Sequence, residues 1–200
     1  MRSYIEDVSY EDLSGLALLQ RYRPLLELLK HDTATFAHSV RVAEQLKRLG
    51  MKLGMHQVQQ QELFDLGLLH DIGKLLISPT ILNKTASLTD GEWVQVKDHP
   101  LNGYRILQNG SYSTAIRMAV LQHHENLEGS GYPAGVKGNM ITHYARMLRI
   151  VDSYDAMTTI RTYKEVLSEK KALEELENKA GVYFDQDLVG VFRDMIRDCS

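Results

Sequence analysis

Apolar residues recur along this chain at three-to-four spacing, the signature of helices with one buried face. Leu16, Leu19, Leu25, Leu26 and Leu29 set that spacing over Leu13 to Lys30. Val40, Val42, Ala43, Leu46 and Leu49 repeat it over Thr35 to Leu49, and Gly50 and Gly54 bracket the stop. A third helix is expected from Val58 to Leu69, closing at Gly73, with a loop opening at Ser78-Pro79. Thr89, with Glu92 three residues on, reads as a capping box that starts a fourth. Shorter helices follow over Pro100 to Gln108 and Ser113 to Glu125, then Ile141 to Thr159, Ser168 to Lys179 and Asp187 to Arg197. The segment Gly129 to Asn139 breaks the pattern. It holds Gly129, Gly131, Gly135, Gly138 and Pro133, and is a loop by composition. No strand-like alternation, internal repeat or low-complexity tract occurs, so the expected fold is all-α.

Composition narrows the class. The chain has 200 residues, 44% hydrophobic and 24% charged, enough for one domain with a packed core. Its net charge of -3 gives no global basic field, so a DNA or RNA polymer is not an expected partner. An anionic ligand must be met by a local cluster of positive charge or by a metal. The single cysteine, Cys199, rules out an internal disulfide and a thiolate zinc framework, and a reducing cytoplasm is the simplest reading. Met1 to Asp12 is polar and contains acidic residues, and no apolar stretch approaches the length of a membrane span. Neither a secretory signal nor an anchor is expected in this sequence, which can still be one piece of a longer polypeptide.

The histidines carry the chemistry. His70-Asp71 follows an apolar helix end (Leu66, Leu68, Leu69), where two ionisable groups are costly unless compensated. A divalent cation compensates them. Imidazole with carboxylate suits iron, manganese or zinc, and an aspartate can bridge two ions. His123-His124 ends a second apolar run, with Glu125 placed to orient an imidazole. Asp152 and Asp155 lie three apart on one helix face. Asp152 is the expected ligand, and Asp155 the partner of a ligand histidine or of backbone. His38 and His99 complete the set. Taken alone, His70-Asp71 is also readable as a capped helix end, His123-His124 as an exposed pair, and Asp152 with Asp155 as carboxylates balancing Arg161. As an ordered series on several helices, His38, His70, Asp71, His99, His123, His124 and Asp152 describe a carboxylate-bridged metal site inside a bundle.

These residues stand within longer motifs. Thr35 and His38-Ser39 precede Arg41-Val42, and His70-Asp71-Ile72-Gly73-Lys74 follows. His99-Pro100 comes with Gly103, and His123-His124-Glu125 leads into Gly129-Ser130-Gly131-Tyr132-Pro133. Asp152-Ser153-Tyr154-Asp155-Ala156, Arg161, Tyr163-Lys164, Gly181 and Phe184-Asp185 close the series. From about Asp32 to about Val189 the chain resembles the HD-GYP family, a subgroup of the HD phosphohydrolases.

The resemblance implies an HD-domain helical bundle with a Gly-Tyr-Pro loop. Residues 31–200 would form the domain, and residues 1–30 a leader and helix on its flank. It implies two divalent metals, iron or manganese. His38, His70, Asp71 and Asp152 would hold the first, with Asp71 bridging to a second on His99, His123 and His124. Lys74, Arg161 and Lys164 would hold substrate phosphate, Lys74 also offsetting charge in the reaction, and Tyr132 would edge the substrate site. The implied activity is hydrolysis of a cyclic dinucleotide, most readily cyclic di-GMP, to linear pGpG, with the further step to GMP left open. The nearest alternatives are a cyclic GMP-AMP phosphodiesterase and a module that binds a cyclic dinucleotide without turnover. Sensory domains and diguanylate cyclases are the implied partners. Ala34 replaces the glutamate that supplies a third metal in some members, so a third ion is not expected. Glu128 stands for the usual aspartate, and Thr162 and Gln186 stand where proline is common.

Overall fold

A computed structural model describes residues 22–159 and 166–198. Within these, residues 22–31 form α1, followed by α2 (Thr33–Lys52) and α3 (Gln57–Leu69). A 3-10 turn (Ile72–Leu76) leads to α4 (Pro79–Leu82), α5 (Asp90–Lys97), α6 (His99–Gln108) and α7 (Thr114–Gln122). A second 3-10 turn (Gly138–Met140) precedes α8 (His143–Thr158), α9 (Glu169–Asn178) and α10 (Gln186–Arg197). No β-strand occurs among the described residues, where only an isolated bridge pairs Ala180 with Phe184. The all-α expectation holds. The expected helix from Leu13 lies partly outside the described residues, as do Arg161, Lys164 and Cys199.

Helix starts follow their caps. Asp32 accepts from Ala34 N at the head of α2, and Thr89 with Glu92 forms the expected capping box of α5. Thr142 caps α8, which therefore begins at His143 rather than Ile141. Asp185 accepts from Asp187 N and Leu188 N, and its cap starts α10 at Gln186. Helix α7 ends at Gln122, short of the expected Glu125, because His123 turns out of it. Two short turns, Ile72–Leu76 and Pro79–Leu82, lie below the length at which apolar periodicity can be read.

Helices α2 and α3 pack against each other, α8 lies across α2 and α7, and α9 and α10 close the far side against α8 and α2. Leu46, Leu63, Leu66, Val120, Leu148 and Phe192 are fully buried between them. Leu25 and Leu28 of α1 join the same core, and Tyr22 Oη donates to buried Asp65 at 2.7 Å. The α2–α3 approach depends on Gly67. A Cβ there would fall 2.3 Å from Ala43 Cα, a backbone atom that cannot swing aside. Gly67→Ala is expected to destabilise the fold by about 1–3 kcal/mol, since α2 and α3 must separate. A urea titration checks this, and an unchanged midpoint would show that the helices adjust freely.

Among the described residues no helix is long and apolar enough to cross a membrane.

Candidate metal centre

Helix ends converge on one point. His70 is the C-cap of α3, His123 the C-cap of α7, and His99 lies two residues beyond the end of α5. The last carbonyls of a helix lack intrahelical donors, and each of these imidazoles uses one of them. Nδ1 of His70 lies 2.8 Å from Gly67 O, that of His99 2.6 Å from Val96 O, and that of His123 2.7 Å from Val120 O. A carbonyl oxygen only accepts, so Nδ1 carries the proton in each ring and Nε2 presents a bare lone pair. The negative ends of these helix dipoles also face the cluster, which favours a cation there.

The bare nitrogens meet one another. His99 Nε2 and His123 Nε2 are 3.1 Å apart, both residues almost fully buried. Two lone pairs at that distance repel unless a cation lies beside them. Neither ring supplies one at neutral pH. Burial pushes His99 down to about 4, and burial with its neighbouring imidazoles pushes His123 well below the usual range. His70 Nε2 is buried with no hydrogen-bond partner, and Asp71 Oδ2 is its near neighbour at 3.4 Å. The donor chemistry therefore fits a metal.

Donor atoms of His99, His123 and His124 lie within 4.8 Å of one another, and so do those of His38, His70 and Asp71. Asp71 stands between the groups. Its Oδ1 lies 3.3 Å from His99 Nε2, while its Oδ2 faces His70 Nε2 at 3.4 Å and His38 Nε2 at 3.8 Å. Asp152 Oδ1 adds to the second group, 3.1 Å from His38 Nε2 and 4.0 Å from His70 Nε2. Burial opposes the charge on Asp71, but Lys74, His70 and His99 outweigh it and hold the carboxyl well below its usual range. Burial would raise Asp152 as well, but the neighbouring His38 outweighs it and holds that carboxyl well below its usual range. All seven residues expected as ligands are thus brought together.

His38 is held differently. Its Nδ1 donates to Asp155 Oδ2 at 2.6 Å, and Arg41 fixes that carboxylate with Nε at 2.7 Å and Nη2 at 2.9 Å. Burial would raise Asp155, but His38 and Arg41 outweigh it and bring its pKa to about 2. Arg41 lies three residues after His38 on α2, a spacing that signals a shared face and that sequence reasoning left unused. Asp155 takes the role of histidine partner expected for it.

Lys74 Nζ lies 2.6 Å from Asp71 Oδ2, beside the central carboxylate. Glu125 does not orient an imidazole. Its Oε1 accepts from Ala134 N at 2.8 Å and Gly135 N at 3.1 Å, which pins the glycine-rich loop. Gly131 lets that loop lie flat, since a Cβ there would meet His124 O and Glu125 Cα at 2.4 Å. The loop thereby stacks Tyr132 on His124, ring centroids 4.8 Å apart, and Lys97 Nζ lies 5.8 Å over the Tyr132 face.

The family model for the HD domain matches residues 24–188. The chain belongs to the HD domain family. Within it, His123-His124 and the Gly-Tyr-Pro loop agree with the HD-GYP branch that the sequence resembles. A cyclic di-GMP phosphodiesterase of Pseudomonas aeruginosa is 37% identical over 169 residues, 84% of this chain and 41% of that protein. A 3'3'-cGAMP-specific phosphodiesterase of Vibrio cholerae is 36% identical over 134 residues, 67% of this chain and 31% of that one. An HDG"Y"P protein of Bdellovibrio bacteriovorus has the same fold, with a TM-score of 0.68 at 17% identity over 96% of this chain and 66% of that one. This HD domain spans less than half the length of the curated relatives it matches.

The shifted histidines set a pH dependence. In protein stripped of metal by a chelator, His99 and His124 hold folded pKa values of about 4 and about 3, both lowered chiefly by burial. The unfolded chain binds these protons first as pH falls below about 6.5, so stability drops through the window from there toward about 4. His38 opposes the trend. Burial would lower it, but its bonds to Asp152 and Asp155 raise its pKa, which favours the folded state in acid. With His123 also lowered, the lowered rings outnumber the raised one, so a urea midpoint is expected to fall by the equivalent of a few kcal/mol from about pH 7 to about pH 5. A flat profile would mean that these rings are hydrated.

Proposed function

We propose that this HD domain is a metal-dependent phosphodiesterase that opens a cyclic dinucleotide, cyclic di-GMP before others, giving linear pGpG as its first product. The observation that carries the reading is the Asp71 carboxylate standing between two clusters of inward-facing imidazoles. His38, His70, Asp71 and Asp152 would hold one divalent ion, and His99, His123 and His124 with Asp71 a second, iron or manganese by the family resemblance. Divalent ions there supply Lewis acidity to phosphoryl oxygens and water that ionises near neutral pH. The chain's own residues do the rest. Asp71 keeps the two clusters in register, and Lys74 places a positive charge beside the reacting phosphate. Tyr132 offers an aromatic edge at the mouth of the site. Arg161 and Lys164, outside the described residues, are assigned by resemblance to the second phosphate.

The 36% identical relative named for 3'3'-cGAMP favours a hybrid cyclic dinucleotide as the second reading. A cytoplasmic setting fits such a messenger, and sensory or diguanylate-cyclase domains fit as partners. Anaerobic purification, elemental analysis and product analysis with several cyclic dinucleotides test all of this. The expected result is about two ions per chain and a linear product, from Lewis-acid-assisted hydrolysis. Tight binding without turnover would replace the enzyme with a binding module.

A further inference from the structure

Arg149 lies on α8, three residues before Asp152, a spacing that puts both on one helix face. Its guanidinium is half-buried and fixed in place. Nε and Nη2 donate to Asn126 Oδ1 at 3.3 and 3.0 Å, Nη1 donates to Ser153 Oγ at 2.9 Å, and the group lies 5.5 Å over the Phe184 ring. Asn126 is two residues from His124, and Ser153 is next to Asp152, so the guanidinium is braced between the two sides of the metal centre.

These partners leave the charge unspent. Both acceptors are neutral oxygens, and among the described residues no carboxylate forms an ion pair with Arg149. The other half-buried guanidiniums of α2 and α8 differ, Arg41 being paired with Asp155 and Arg146 with Asp185. A guanidinium has five N–H groups. The bonds to Asn126 and Ser153 use three, leaving one N–H on each terminal nitrogen without a partner among the described residues. Two N–H groups on neighbouring nitrogens of one guanidinium are the donors that pair with two phosphate oxygens.

We propose that Arg149 is a substrate-binding residue whose free fork holds a phosphodiester of the cyclic dinucleotide, with Asn126 and Ser153 aiming it. The inference rests on the proposed function. Asn126 orients the fork through its Oδ1 while its Nδ2 donates to Ser130 Oγ at 2.9 Å, so its amide has one orientation. Tying a cation to the glycine-rich loop in this way makes phosphate binding and loop position interdependent.

The test compares wild type with Arg149→Met, Arg149→Lys and Asn126→Ala in the metal-loaded protein. Binding of a phosphorothioate cyclic di-GMP analogue, KM as a function of salt, and metal content are measured. Losing a bidentate charged contact is expected to weaken analogue binding in Arg149→Met by roughly 10- to 100-fold, with KM rising more than kcat falls. The salt dependence of KM should flatten, Arg149→Lys should recover part of the affinity, and metal content should stay at the wild-type level. Asn126→Ala keeps the charge and should show the milder defect. If Asn126→Ala matches Arg149→Met while the salt dependence is unchanged, Arg149 is only a strut for the loop and the inference fails. Wild-type turnover with unaltered affinity in Arg149→Met overturns this inference alone, whereas a wild-type protein that neither binds nor cleaves any cyclic dinucleotide overturns it together with the proposed function.

Discussion

Asp71→Ala is expected to abolish turnover and metal retention together. Its oxygens face both imidazole clusters, with Oδ1 at 3.3 Å from His99 and Oδ2 at 3.4 Å from His70, and the residue is 2% exposed. Removing it would take the proposed shared anionic ligand from both groups at once and leave Lys74 without its 2.6 Å partner. An uncompensated ammonium then faces the site, and it repels a divalent cation. The expected fall in kcat/KM is roughly 1,000-fold or more, the equivalent of about 4 kcal/mol of lost transition-state stabilisation. Asp71→Asn keeps the shape and removes the charge, so it should fail almost as completely. Elemental analysis beside an activity assay, with circular dichroism to establish folding, checks the pair. Turnover that survives in a folded Asp71→Ala protein would remove the bridge from the mechanism.

The second large effect is expected from Asp155→Ala, a residue that would touch neither metal nor substrate. Its carboxylate accepts His38 Nδ1 at 2.6 Å and both prongs of Arg41. Without it, nothing enforces the tautomer that presents Nε2 to the site, and Arg41 loses its anion. Such outer partners of metal-bound histidines contribute roughly 10- to 100-fold in metal affinity. That loss is expected here in a competition titration against a chelator, with activity restored by excess metal. Activity rescued in this way separates Asp155 from Asp71, whose loss added metal should not repair. Wild-type metal affinity in Asp155→Ala would mean that α2 alone orients His38.

Much of the site was legible because its parts are local. The expected ligands each stand in a short motif, and their helices declare themselves by apolar periodicity and by caps such as Thr89 with Glu92. Asp155 was legible as a candidate partner because it lies three residues from Asp152 on the same helix. Glu125 was misread, since its proximity in sequence to His123-His124 suggested an imidazole partner. The chain reverses after it, and the amides of Ala134 and Gly135 reach its carboxylate first.

By itself the sequence determined the all-α class, the helix faces that form the core and the identity of the inward-facing donors, because periodicity, capping and residue chemistry are properties of short segments. Only the tertiary structure decided that the ends of α3, α5 and α7 meet, so that free carbonyls fix the rings of His70, His99 and His123. It also decided that Asp71 lies between their lone pairs, that Arg41 locks Asp155, and that Arg149 keeps its charge. These outcomes depend on how helices distant in sequence are packed together, through contacts such as Gly67 on Ala43. No periodicity or spacing within one segment encodes which helix ends will face each other.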